Sequence, residues 1–151
     1  LSYMRPILAT EEIKKVFYED INDFLPYIKG INNHMGSFFT SNPEKMEVLL
    51  DNVKEENLFF IDSVTSTETV GYELAKQKGI KTIKRDIFID NETNPEYIKS
   101  QLERLVEIAK ENGKAVAIGH AKSTTLKVLK ETLPELEKQG IEIVPVSSIV
   151  E

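Results

Sequence analysis

Amphipathic helical segments alternate with short apolar runs along nearly the whole of this 151-residue chain, and that alternation limits the folds open to it. Thr10 can cap a helix running to about Phe24, on which Ile13, Val16, Phe17, Ile21, Phe24 and Leu25 recur at helical spacing. Pro26 ends it, and a strand over Ile28 to Asn32 follows. Asn42-Pro43 is an N-cap followed by proline at the first helical position, opening a helix through Met46, Leu49, Leu50 and Val53 that closes near Asn57. The run Leu58 to Ile61 reads as a strand ending in Asp62-Ser63.

The scheme then repeats. Ser66 or Thr67 caps a helix ended by Gly79, and the strand Ile80 to Ile83 leads through Lys84-Arg85-Asp86, with Ile87-Phe88-Ile89 carrying on to Asp90-Asn91. Asn94-Pro95 starts the helix of Ile98, Leu102, Leu105, Val106 and Ile108, closed by Gly113 before the strand Ala115 to Ile118. Ser123 caps a last helix, which Pro134 should kink or split, and after Gly140 the run Ile141 to Val146 forms the fifth strand. Strands alternating with helices of this length imply an α/β fold of right-handed parallel βαβ units, taken as one domain over residues 1–151.

Composition removes several classes of function. A net charge of -6 with lysines and glutamates interspersed leaves no basic stripe, so a nucleic-acid partner is not expected. The chain has no cysteine, which excludes thiolate nucleophiles and disulfides and leaves His, Asp and Glu as the available metal ligands. No apolar stretch approaches the roughly 18 residues of a membrane span. A dinucleotide Gly-rich loop, a phosphate-binding loop, a His-Glu-x-x-His helix and a Gly-x-Ser-x-Gly elbow are all missing. The chain starts at leucine and is read as a piece of something longer.

Polar groups at strand ends mark the functional face of a parallel α/β architecture. Both histidines stand after apolar runs: His34 in Asn32-Asn33-His34-Met35-Gly36-Ser37, and His120 after Ala115-Val116-Ala117-Ile118-Gly119. An imidazole can ligate a metal or move a proton, and amides beside it can orient a ligand, so the two point to one site. The plainer alternative for the first segment is a polar turn, since Asn and Gly are turn formers. Asp62 is placed to accept the second N–H of an imidazole, or else to cap a helix or close an Asx-turn. Arg85-Asp86 and Asp90 could hold a substrate, or form a solvated ion pair of little worth.

The runs Gly30 to Ser37, Phe59 to Ser63, Arg85 to Asn91, Ala117 to His120 and Ile141 to Ser147 occur in the order seen in the divergent polysaccharide deacetylase family, which this chain resembles. The resemblance implies a distorted (β/α) barrel of roughly seven strands and removal of acetyl groups from carbohydrates with a divalent metal, zinc by family analogy. Members also carry an earlier Asp-Asp strand end and a His-x-Pro-x-Glu-like strand end, neither present here. The chain therefore resembles the C-terminal part of such a domain, a partial barrel whose N-terminal strands are missing. By resemblance His34 is the metal-site residue, His120 the general acid and Asp62 its partner carboxylate, with Asn33, Ser37, Arg85, Asp86 and Asp90 toward the substrate. A carbohydrate partner and an extracytoplasmic or envelope-associated setting are implied as well. The alternative is a carbohydrate-binding or envelope-associated module that has lost the metal. Unpaired sheet edges of a partial barrel call for cover, and a homo-oligomer is expected.

Overall fold

A computed structural model of the chain describes residues 9–151. It is an α/β structure in which every strand pairing is parallel, and it divides into two compact units, residues 1–84 with 150–151 and residues 85–149.

In the first unit, α1 (Thr10–Ile21) leads through turns to β1 (Gly30–Asn32), the short α2 (Ser37–Thr40) and α3 (Pro43–Glu55). β2 (Phe59–Asp62), α4 (Gly71–Gln77) and β3 (Thr82–Lys84) complete it, with strand order β1-β2-β3. Ile31 lies beside Phe60, and Ile61 beside Ile83. The helical stripe read from the sequence faces inward: Ile13, Phe17 and Ile21 of α1 meet Met46, Leu49, Leu50 and Val53 of α3 over Phe60 of β2. Each such side chain removed from water contributes about 1.5–3 kcal/mol. Gly30 is required by packing, because a Cβ there would fall within the Phe59 ring.

Asn42 caps α3 as expected, its side chain accepting the Lys45 N–H at 3.0 Å with Pro43 at the first helical position. Two other caps in this unit differ from expectation. Ala9, not Thr10, precedes α1, and the Glu12 carboxylate accepts the Ala9 N–H at 3.3 Å. The hydroxyls of Ser66 and Thr67 cap nothing in α4, which begins later, at Gly71. The intervening loop is instead held by Asp62, and Ser66 Oγ accepts the Glu68 N–H at 3.1 Å.

The second unit holds β4 (Ile87–Phe88), α5 (Pro95–Asn112), β5 (Ala117–Ile118), α6 (Ser123–Lys138) and a 3₁₀ turn over Val146–Ser148. β4 pairs with β5, so the apolar stretch read as one continuing strand over Ile80 to Ile89 is divided between two sheets. Ile87, Ile89, Ile98, Leu102 and Val128 form its core. Asn94 caps α5 with its side chain, and Gly113 closes it at φ 80°, a left-handed turn that suits glycine. Ser123, expected to cap α6, is its first residue and its hydroxyl caps nothing; Lys122 is the N-cap, and the helix passes through Pro134 unbroken. Pro134 is exposed, so water can satisfy the carbonyl that its missing N–H leaves orphaned.

The fifth expected strand does not form. Residues 141–146 have no ladder partner, and Pro145 lacks one of the donors that a ladder needs. This segment lines an apolar cavity of about 800 Å³ together with Leu105, Leu129 and Leu133 of α5 and α6.

Candidate active site

In the first unit, the loops leaving β1 and β2 are tied together side chain by side chain. Asn33 is buried at 1% exposure; its Oδ1 accepts the Ser63 N–H at 2.8 Å, and its Nδ2 donates to Thr65 Oγ1 at 3.3 Å. Asn32 Nδ2 donates to Ser63 Oγ at 3.0 Å, and Ser37 Oγ donates to the Thr65 carbonyl at 3.0 Å. Thr65 Oγ1 in turn donates to the Met35 carbonyl at 3.4 Å. Met35 and Val64 adopt left-handed backbone conformations, φ 62° and 48°, which are costly for side-chain-bearing residues and worst for a β-branched one. The ties across the loops hold both strained residues in place and present His34, which is exposed, at the tip.

Two expectations are corrected by this geometry. Asn33 is a loop tie whose amide is buried and bonded at both ends, not a group turned to substrate. Asp62 orients no imidazole. Fully buried, it accepts the Val64 N–H at 2.8 Å on Oδ1, and the Thr69 hydroxyl at 2.9 Å and Tyr72 N–H at 3.0 Å on Oδ2. The Asx-turn and cap alternative is thus realised, with the carboxylate capping α4 from β2. Ser37 stays on the rim beside His34, with its hydroxyl engaged by Thr65.

The imidazole-orienting carboxylate is Asp90, in the second unit. Asp90 is 1% exposed; its Oδ1 lies 3.1 Å from His120 Nδ1, and its Oδ2 accepts the His120 backbone N–H at 2.9 Å and the Thr125 hydroxyl at 2.8 Å. Burial pushes its pKa up, but the bonds from the His120 N–H, Thr125 and the His120 ring outweigh that and hold the carboxyl below its ordinary value. An ionised carboxylate accepts only, so Nδ1 carries the proton toward it and proton exchange with a substrate falls to Nε2. The expectation that Asp90 contacts substrate is therefore corrected: it is buried behind the histidine. Gly119 permits the approach, since a Cβ there would lie 2.7 Å from Ile89 Cγ1.

Arg85 and Asp86 are not joined in an ion pair that holds a ligand. Asp86 Oδ2 accepts the Val116 N–H at 2.7 Å and ties β4 to the start of β5. The Arg85 guanidinium lies 5.5 Å from the Phe88 ring centroid. Thr125 and Phe88 were not among the residues singled out by sequence. Thr125 meets Asp90 across 35 positions, for which no local pattern exists, whereas the period of two along a strand places Phe88 on the Asp90 side.

The resemblance implies a divalent metal, and a catalytic zinc takes three protein ligands. Among the described residues no group of three or more His, Asp or Glu side chains could hold an ion, and the buried carboxylates Asp62 and Asp90 are taken by protein donors. Likewise, among the described residues no helix is long and apolar enough to cross a membrane.

Comparison with known proteins agrees with the strand-end motifs. The uncharacterized protein YibQ of Escherichia coli K12 is 37% identical over 147 residues, covering 97% of this chain and 46% of that protein. An uncharacterized protein of Haemophilus influenzae is 36% identical over 107 residues, covering 71% of this chain and 38% of its own length. The chain thus spans less than half the length of these curated relatives. The crystal structure of uncharacterized protein ATU2773 from Agrobacterium tumefaciens C58 superposes with a TM-score of 0.79 at 26% identity, over 81% of this chain and 50% of that one. The pattern of the family described as divergent polysaccharide deacetylase matches residues 3–150, and with it the parallel α/β fold and the strand-end motifs place this chain in that family.

Proposed function

We propose that the protein acts in hydrolytic removal of an acetyl group from a carbohydrate, with His120 as the proton carrier at the leaving nitrogen or oxygen. The observation that carries this reading is the buried, ionised Asp90 bonded to His120 Nδ1 and locked by Thr125. A carboxylate there fixes the imidazole tautomer and stabilises the imidazolium, so Nε2 can protonate an amine or alkoxide as it departs. Asp90 thereby takes the partner role first read into Asp62.

His34 is the imidazole that the first unit offers to a divalent metal such as zinc. Among the described residues it is part of no group of three, where a catalytic zinc site takes three protein ligands. The same shortfall favours a second reading, a carbohydrate-binding module without catalysis.

Acetate release from N-acetylglucosamine oligomers, measured with and without added zinc, separates the two. Turnover that falls by about 10²-fold or more in His120→Gln supports the enzyme reading. Turnover unchanged in that variant refutes the role of His120, and saturable oligosaccharide binding with no acetate release leaves the binding module.

A further inference from the structure

Asn112 is the one asparagine of the chain that precedes a glycine, and it is the last residue of α5. Both Asn112 and Gly113 are exposed. Asparagine is a thermolabile side chain, because its amide carbon can be attacked by the backbone nitrogen of the next residue. A folded chain prevents this by holding that nitrogen in a hydrogen bond, or by placing a bulky side chain after the asparagine.

Neither protection operates here. Gly79, Gly113 and Gly140 each follow a helix in the left-handed conformation, but their N–H groups are held differently. Gly79 donates to the Lys76 carbonyl and Gly140 to the Glu137 carbonyl, both at 3.0 Å. Among the described residues the Gly113 N–H has no hydrogen-bond partner, and neither has the Asn112 side chain. A Cβ built on Gly113 would meet nothing within 4 Å, so the turn borders open space. Helix ends fray, and without a bond at Gly113 nothing locks the Asn112 ψ angle on its C-terminal side, so turning about it brings the nitrogen against Cγ. Asn57 is the internal contrast: it too is exposed just beyond a helix, but the Leu58 N–H is bonded to the Val53 carbonyl at 3.0 Å.

We infer that Asn112–Gly113 is a site of spontaneous deamidation. The Gly113 nitrogen gives its proton to solvent and bonds to Asn112 Cγ; the Cγ–Nδ2 bond breaks, and ammonia leaves with a proton returned by solvent. Water then opens the cyclic imide at one carbonyl to give aspartate, or at the other to give isoaspartate. No oxidant or reductant takes part. Either product adds one negative charge to the formal net charge of -6, at a helix C-terminus that already carries partial negative charge. Isoaspartate also routes the backbone through the former side chain, lengthening the turn between α5 and β5.

The test is to age the whole chain in mildly alkaline buffer, following it by isoelectric focusing and by peptide mapping with electron-transfer fragmentation, which tells aspartate from isoaspartate. An acidic form shifted by one charge should accumulate, with both products at Asn112 before any change at Asn57. Asn112→Gln should lose this early form. Gly113→Asn, which keeps a residue type suited to a left-handed helix end, should delay it. Asn112 keeping its amide as long as Asn57 overturns the inference, as does an acidic form appearing at the wild-type rate in Asn112→Gln. Aspartate without isoaspartate also overturns it, because that product arises by direct hydrolysis and not by attack of Gly113.

Discussion

Replacing Asp62 by Asn separates a structural carboxylate from a catalytic one with a single change of atom. Asp62 accepts three hydrogen bonds with no exposure to solvent, two of them from backbone N–H groups, Val64 and Tyr72. The amide is nearly isosteric but carries one acceptor and one donor. Whichever way it turns, its NH₂ faces one of the two backbone N–H groups, while the Thr69 hydroxyl can rotate to adapt. One orphaned buried N–H costs about 1–3 kcal/mol, and the remaining bonds lose the strength that an ionised acceptor gives, so the sum is about 3 kcal/mol. Thr69→Val removes one neighbour of the carboxylate and should cost about 1 kcal/mol. Urea unfolding followed by far-UV circular dichroism and tyrosine fluorescence suits a chain with no tryptophan and five tyrosines. With a slope of about 1–3 kcal/mol per M, the Asp62→Asn midpoint should drop by about 1–3 M, more than that of Thr69→Val. An unfolding free energy within about 0.5 kcal/mol of wild type would refute the structural account. Loss of activity without loss of stability would return Asp62 to the catalytic role that its strand-end position first suggested.

Other outcomes follow from the same geometry. Because the Asp90 carboxyl is more acidic folded than unfolded, its contribution to stability is complete above the unfolded value of about 3.9 and is lost as pH falls through the lower folded value. The stability gap between wild type and Asp90→Asn should therefore narrow below about pH 4; a gap independent of pH contradicts the assignment. Val64→Asn relieves a β-branched residue at φ 48° and should raise the melting temperature by about 2–4 °C, roughly 1 kcal/mol, whereas a decrease would show that Val64 is not strained. β1 has a strand neighbour on one side only among the described residues, and Phe24, Tyr27, Met35 and Phe38, all exposed, flank it in sequence. Edge pairing between two copies is the expected result, read as a dimer by sedimentation velocity that Tyr27→Lys with Phe38→Lys dissociates; a monomeric wild type rules it out.

The helices were legible because each carries its own signals. Asn42-Pro43 and Asn94-Pro95 cap as read, Gly113 closes α5, and the apolar stripes of α1 and α3 face the core. Strand ends were less legible. The run from Ile80 to Ile89 looks continuous because apolarity alone does not say which neighbour a strand pairs with, and residues 141–146 have strand composition without a ladder. The caps of α1, α4 and α6 were misplaced by the presence of hydroxyl residues near each start, since a hydroxyl caps only if the backbone aims an N–H at it.

At the candidate site, residue types and strand-end positions were legible from sequence; bonding roles were not. The alternation of apolar runs with polar termini determined a parallel α/β chain and drew out His34, Asp62, Asp90 and His120 as buried or rim groups of consequence. Only the tertiary structure decided which carboxylate serves an imidazole. Asp62 and Asp90 both follow apolar strands, but the donors that meet them come from residues up to 10 positions away in one case and 30 to 35 away in the other. Local pattern records the period of a helix or strand; the pairing of β4 with β5, which sets Asp90 beside His120, is a long-range contact that no short window of residues contains.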